Sequence, residues 1–353
     1  MRLSLISIYL ASLGLPACAA HPPAPGDVLE RRVGAMGTWL DLRLEGAPRP
    51  VLLEASEAAV RAVEAAEARL STWREDTELA QLNAAPLGQP VTLSPALRRD
   101  LEGALLGAEL TEGFFDPVLG VLVRLWHLRE GGGPPPPNVA RLDALAQGGR
   151  RSLLLEDGRA TRLRPGCLVE EGGFGKGAAL DDAARALEAW PGIHGLLDLG
   201  GQVLVVGGRA RELLLADPRE RGRAVLRLRL NGGSAATTGN SERGIQVEGR
   251  LLSHVLHPRT GRPVPDFGSL TVLAPGALLA DCLSTGLYAA GPEEALRRAA
   301  ALEGIEALVL TPTPDGGLEA RATPGLRGRL EAMDDDLSLN FLAPASGTPS
   351  DPR

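Results

Sequence analysis

The order in which apolar periodicities follow one another along this chain excludes a doubly wound sheet. Residues 33–44 alternate with the two-residue period of a strand, and residues 51–70 carry Ala and Glu at helical spacing. Ser94 and Pro95 open a second helix, 94–110, as cap and first-turn proline, and residues 180–190 make a third. Strand-like stretches then follow with no helix between them, at 195–206, 212–217, 224–230, 244–247 and 270–273. A buried helix at 280–290, a neighbour at 292–302 and a closing strand at 307–310 complete the pattern. A parallel βαβ sheet needs a helix between successive strands, so this order predicts an α+β fold. Neither a Walker A loop nor a Rossmann fingerprint is present.

Met1-Arg2 and the apolar run 3–15 read as a secretory signal, too short for a stable membrane span. Leu15-Pro16-Ala17-Cys18 resembles a bacterial lipobox in which Cys18 would carry the lipid; cleavage within Ala17-Cys18-Ala19 is the alternative. The expected organisation is a signal peptide over 1–17, a lipidated tether over 18–30 and one domain over 31–330. A partly disordered segment, 331–353, would follow. The Gly/Pro run 131–137 is a loop inside that domain. Cys167 and Cys282 are too few for a disulfide framework and have no zinc spacing, so both read as small buried apolar residues. A net charge of −7 argues against nucleic acid as a partner.

Arginine so dominates the basic residues that Lys176 is the only lysine among 37 Lys and Arg. It stands in Glu170-Glu171-Gly172-Gly173-Phe174-Gly175-Lys176-Gly177, ahead of a helical stretch. Lysine is a compact point charge able to meet a phosphate or carboxylate end-on, and glycines before a helix let backbone approach an anion. Gly173, Gly175 and Gly177 are expected to wall a niche that a broader guanidinium would not enter. The other reading is a surface loop whose lysine has no task. Asp281 and Thr285 lie one helical turn apart on an apolar helix, with Ser284 adjacent. A carboxylate and a hydroxyl on one face suit a hard cation such as Mg²⁺. Equally, Asp281 would cap a helix and Thr285 bond back to the preceding turn. His254 and His257 share a turn-rich stretch. His254 is a candidate general base or a histidine fixed by backbone bonds. Trp73 would stack on a flat heterocycle with Asp116 at its edge, or the two are a core anchor and a turn carboxylate.

Taken in order, these segments resemble the ApbE-type FAD:protein FMN transferases. The resemblance runs from Met36-Gly37-Thr38 through Ser71-Thr72-Trp73-Arg74, Asn83 and Phe115-Asp116-Pro117. It continues through Gly120, Leu125-Trp126, Gly175-Lys176-Gly177, Asp181, Leu199-Gly200-Gly201 and Thr238-Gly239. Ser253-His254, Pro258-Arg259-Thr260-Gly261 and Asp281 with Thr285 close it. Nearly the whole chain after the signal is covered.

The resemblance implies a compact α+β body with FAD in a flavin-binding cleft and Mg²⁺ at the pyrophosphate. Metal ligands would be Asp281, Thr285, Ser284 and the backbone carbonyl of Gly173. Flavin contacts would fall on Met36, Trp73, Phe114, Phe115, Asp116, Glu170, Lys176 and the backbone near Leu256. It further implies transfer of FMN from FAD to a Thr or Ser hydroxyl of an acceptor flavoprotein, with AMP released. Lys176 and Asp281 would serve catalysis, and His254, or else His257, would take the hydroxyl proton. An Mg²⁺-dependent FAD pyrophosphatase and a non-catalytic flavin-binding lipoprotein are the alternatives. Lipidation at Cys18 would tether the protein in the bacterial cell envelope, in the periplasm or on the outer face of the inner membrane. Three positions depart from the family pattern: Glu170 replaces Asp, Ser284 replaces a second acid, and His257 replaces the Asp before Pro258.

Overall fold

The computed structural model describes residues 27–239, 244–247 and 250–343. Its centre is a nine-stranded sheet whose spatial order is its chain order. The strands are Val28–Ala35, Thr38–Glu45, His194–Leu199, Gln202–Val206, Gly233–Gly239, Ser269–Ala274, Glu306–Pro312, Leu318–Ala322 and Leu337–Phe341. Every neighbouring pair is antiparallel except the last, which is parallel. This is the α+β arrangement expected. The sheet continues past residue 330, since Leu337–Phe341 forms its edge.

Two expected strands are hairpins. The run 33–44 breaks at Met36 and Gly37, both at positive φ (50° and 69°). Two consecutive left-handed residues make the tight turn whose twist matches paired strands. The run 195–206 breaks the same way at Gly200 and Gly201 (φ 60° and 88°). The two turns lie side by side, for Gly200 N–H donates to the Trp39 carbonyl at 3.0 Å. Apolar alternation conceals such a turn because the period resumes after it.

Alternation within each strand divides its side chains between two layers. Leu270, Val272, Ala307 and Val309 face the helices Ala277–Ala290 and Pro292–Ala299. Leu273, Leu308 and Leu310 face a small sheet built on Glu220–Leu230. Further along the helical layer, Arg49–Leu70 buries Leu52, Ala55, Ala59 and Val63 against Leu40, Leu42, Leu197 and Leu199. It shares that cluster with Ala179, Leu180 and Ala183 of the helix Gly175–Leu187. A second core gathers Leu97, Leu101 and Ala104 of the helix Pro95–Leu110 with Phe115, Phe174, Cys167 and Cys282. Both cysteines are buried and free, as read. Ser94 caps Pro95–Leu110 by accepting from Leu97 N–H at 3.1 Å.

Among the described residues no helix is long and apolar enough to cross a membrane. The signal segment and Cys18 lie outside the described residues.

Candidate functional site

Helices Gly175–Leu187 and Ala277–Ala290 cross at their starts and cap each other. An α-helix leaves its first N–H groups without intrahelical partners. Asp181, on the first helix, accepts from Ala277 N–H at 2.7 Å and Leu278 N–H at 2.9 Å. Asp281, on the second, accepts from Gly177 N–H at 3.1 Å. Each acid sits four residues beyond the helix position that touches its partner. Asp281 is therefore a cap, though of the other helix. The approach is so close that a Cβ on Gly177 would lie 2.3 Å from the Ala277 carbonyl oxygen.

Around this crossing the structure gathers most of the expected anion and metal set. Thr285 follows Asp281 by one turn, and Gly173 lies against it. A Cβ on Gly173 would stand 3.2 Å from Thr285 Oγ1 and 2.8 Å from Phe115. Lys176 occupies the first turn of its helix, half-buried. Its charge reaches Asp198 beside the Gly200–Gly201 turn, pulling down a carboxyl that burial raises. Among the described residues no hydrogen bond or ion pair takes up its ammonium. Met36 closes this end, its Cε 3.4 Å from where a Cβ on Gly175 would be. Met36 N–H is held by Glu67 Oε2 at 2.9 Å.

Two expectations change here. The glycines do not wall a niche for Lys176: Gly177 faces the helix Ala277–Ala290, Gly173 faces Phe115 and Thr285, and Gly175 faces Glu171 and Met36. They are small because backbone and side chains approach closely. Ser284, expected among the metal ligands, is fully buried; it donates to the Asp281 backbone carbonyl at 3.0 Å and accepts from Thr238 Oγ1 at 3.0 Å. Its hydroxyl ties helix to sheet.

The flavin candidates divide between core and rim. Phe115 and Leu256 are buried. Asp116 is the turn carboxylate: Oδ1 accepts from Val118 N–H and Oδ2 from Arg150 N–H, both at 2.8 Å, and burial raises its pKa. Phe114 lies under the guanidinium groups of Arg259 (4.7 Å) and Arg298 (5.0 Å), with His257 edge-on at 5.5 Å. His257 Nδ1 accepts from Arg259 N–H at 3.1 Å, and burial together with that arginine lowers its pKa. Its Nδ1 is thus engaged. Val255, beside His254, packs into the cluster of Leu283 and Leu287 and brings that segment to the same helix.

At the other rim Trp73 is 68% exposed. Arg129 lies over its ring at 5.0 Å and donates to Glu170 Oε2 at 2.7 Å. Glu170 is pushed up to about 7 by burial and by Glu171, against the pull of Arg129. Arg129 was not visible as a site residue in the sequence. The partners it joins lie 57 and 41 residues away.

Fold and site together define an α+β protein suited to a ligand with an anionic centre and a flat aromatic end. The ApbE family model matches residues 36–309, and the chain belongs to that family. A *Rhodobacter capsulatus* protein named FAD:protein FMN transferase is 33% identical over 322 residues, covering 88% of this chain and 60% of the relative. The chain thus spans about 60% of that relative's length. A *Klebsiella pneumoniae* protein of the same name is 30% identical, covering 82% of this chain and 85% of its own. The ApbE protein of *Thermotoga maritima* superposes with a TM-score of 0.75 at 26% identity, over 83% of this chain and 96% of its own. The flavin transferase ApbE from *Vibrio cholerae* gives 0.73 at 25%, over 86% and 100%.

Proposed function

We propose that this chain transfers FMN from FAD to a Thr or Ser hydroxyl of an acceptor protein, releasing AMP. The observation that carries the reading is the crossing of the two helix starts. It brings into one region the first helical turn that carries the lysine, the Asp281 carboxylate that accepts from Gly177 N–H, and Thr285 against Gly173. The acceptor oxygen bonds to the phosphorus of the FMN half, the bond from that phosphorus to the AMP oxygen breaks, and the hydroxyl proton passes to a base. His254 is that base. Such transfer asks the protein mainly for positioning and charge. Lys176 and the helix start offset negative charge on the pyrophosphate oxygens.

The donor set fits Mg²⁺. Asp281 gives a carboxylate, Thr285 a hydroxyl and Gly173 a carbonyl, all hard oxygens. One carboxylate leaves room for water and substrate phosphate. When bound, the ion supplies charge neutralisation at the pyrophosphate. Trp73 gives the flavin an aromatic face. A lipid on Cys18 would hold the enzyme at the cell envelope beside membrane-bound acceptors.

Incubation with FAD, Mg²⁺ and a candidate acceptor, followed by intact-mass spectrometry, tests the reading. A covalent FMN increment on the acceptor supports it. Free FMN and AMP without the increment would make the chain a pyrophosphatase, and no FAD consumption at all would leave it a binding protein.

A further inference from the structure

Trp73 is the one exposed side chain among the candidate flavin contacts, carried on the short loop after the helix Arg49–Leu70. An indole so placed would ordinarily rotate freely. Here one guanidinium lies over one face of the ring and ties down the loop that carries it. Arg129, in the short turn Leu128–Glu130, stacks over the ring at 5.0 Å. It also donates to the Thr72 carbonyl at 2.9 Å, to the Thr72 hydroxyl and to Glu170 Oε2 at 2.7 Å. Thr72 in turn donates from its N–H and its hydroxyl to the Glu171 carboxylate. The loop is thereby fastened to the segment that leads through Gly173 to Lys176.

We propose that Arg129 is a positioning residue that fixes Trp73 as a wall of the flavin site. This rests on the flavin reading given above and adds to it the residue that holds the aromatic face in place. The guanidinium covers one face of the indole, and the exposed remainder is offered to the isoalloxazine. Because the ring is ordered before FAD arrives, less freedom is lost on binding. Planarity is essential: a guanidinium stacks with its face while donating from its edge, and an ammonium cannot do both. The same arginine partners Glu170, which answers the longer acid found at that position.

The test is an FAD titration in Mg²⁺, following quenching of flavin fluorescence, on wild type, Trp73→Ala, Arg129→Ala, the double variant and Arg129→Lys. Each alanine change should weaken FAD by a factor of about two to five, the size of a cation–π contact at an exposed ring. If Arg129 acts through Trp73, the double variant binds no more weakly than Trp73→Ala alone. Arg129→Lys keeps a charge for Glu170, guarding against a folding defect, and should still bind FAD more weakly than wild type. Multiplying losses in the double variant, or wild-type affinity in either Arg129 variant, would overturn the proposal and leave the flavin reading standing. A wild-type protein that does not bind FAD would sink both.

Discussion

At the helix crossing, Asp181 and Asp281 reach backbone N–H groups over 2.7–3.1 Å, and the helices touch where Gly177 has no side chain. At the Trp73 rim, long side chains do the joining, and the aromatic ring they hold stands 68% exposed. The first region is fixed by short side chains on packed helices, the second by an arginine that reaches across loops. That contrast matches the two halves of the proposed substrate. A pyrophosphate needs charges held still, whereas a flavin that must be delivered to an acceptor needs one open side.

The largest effect should come from Arg69, 10% exposed and paired at 2.7 Å with both Asp100 and Asp182 behind the crossing. Arg69→Ala strands buried acids and should cost about 3–5 kcal/mol in denaturant unfolding. Arg129→Ala at the rim should cost clearly less, and equal losses would break the comparison. Gly177→Ala comes next, since its methyl group would press on the Ala277 carbonyl. About 1–3 kcal/mol of stability should go, together with transfer activity, as the helices are forced apart.

Lys176→Met should weaken FAD binding and turnover by about 1–3 kcal/mol, the scale of a charged hydrogen bond, with little change in melting. Lys176→Arg should keep part of the activity, because the neighbouring glycines face other partners than this side chain.

A pH slope is also expected at the rim. Glu170 rises from its ordinary 4.5 to about 7, so between those values the folded state holds a proton that the unfolded chain has lost. Its stabilising contribution is complete below 4.5 and declines as pH climbs through 7. Melting curves across that window should show the decline in wild type and a flatter profile in Glu170→Gln.

What the sequence disclosed and what it hid follow the same division. The helix over 51–70, the Ser94 cap and the Asp281–Thr285 spacing were readable because each is a local pattern of a few residues. So was Lys176, by its isolation among arginines. The hairpin turns at Met36–Gly37 and Gly200–Gly201 were hidden because alternation continues across them. Asp181 capping a helix 96 residues away, and Arg129 reaching Glu170 over 41, have no local signature. Ser284 was misplaced for a related reason. Adjacency to Thr285 suggested a shared ion, but the next residue on a helix points about 100° away, here toward Thr238.

Asp281→Asn tests the central claim most directly, because an amide oxygen still accepts from Gly177 N–H while the charge is gone. Unfolding and FMN transfer to an acceptor should be measured on the same preparation. The account predicts a melting temperature close to wild type and transfer reduced by a factor on the order of a hundred or more, as expected when a charge acting on the reacting phosphate is lost. Transfer at the wild-type rate in the same Mg²⁺ would show that Asp281 only caps a helix, contradicting its place in the chemistry.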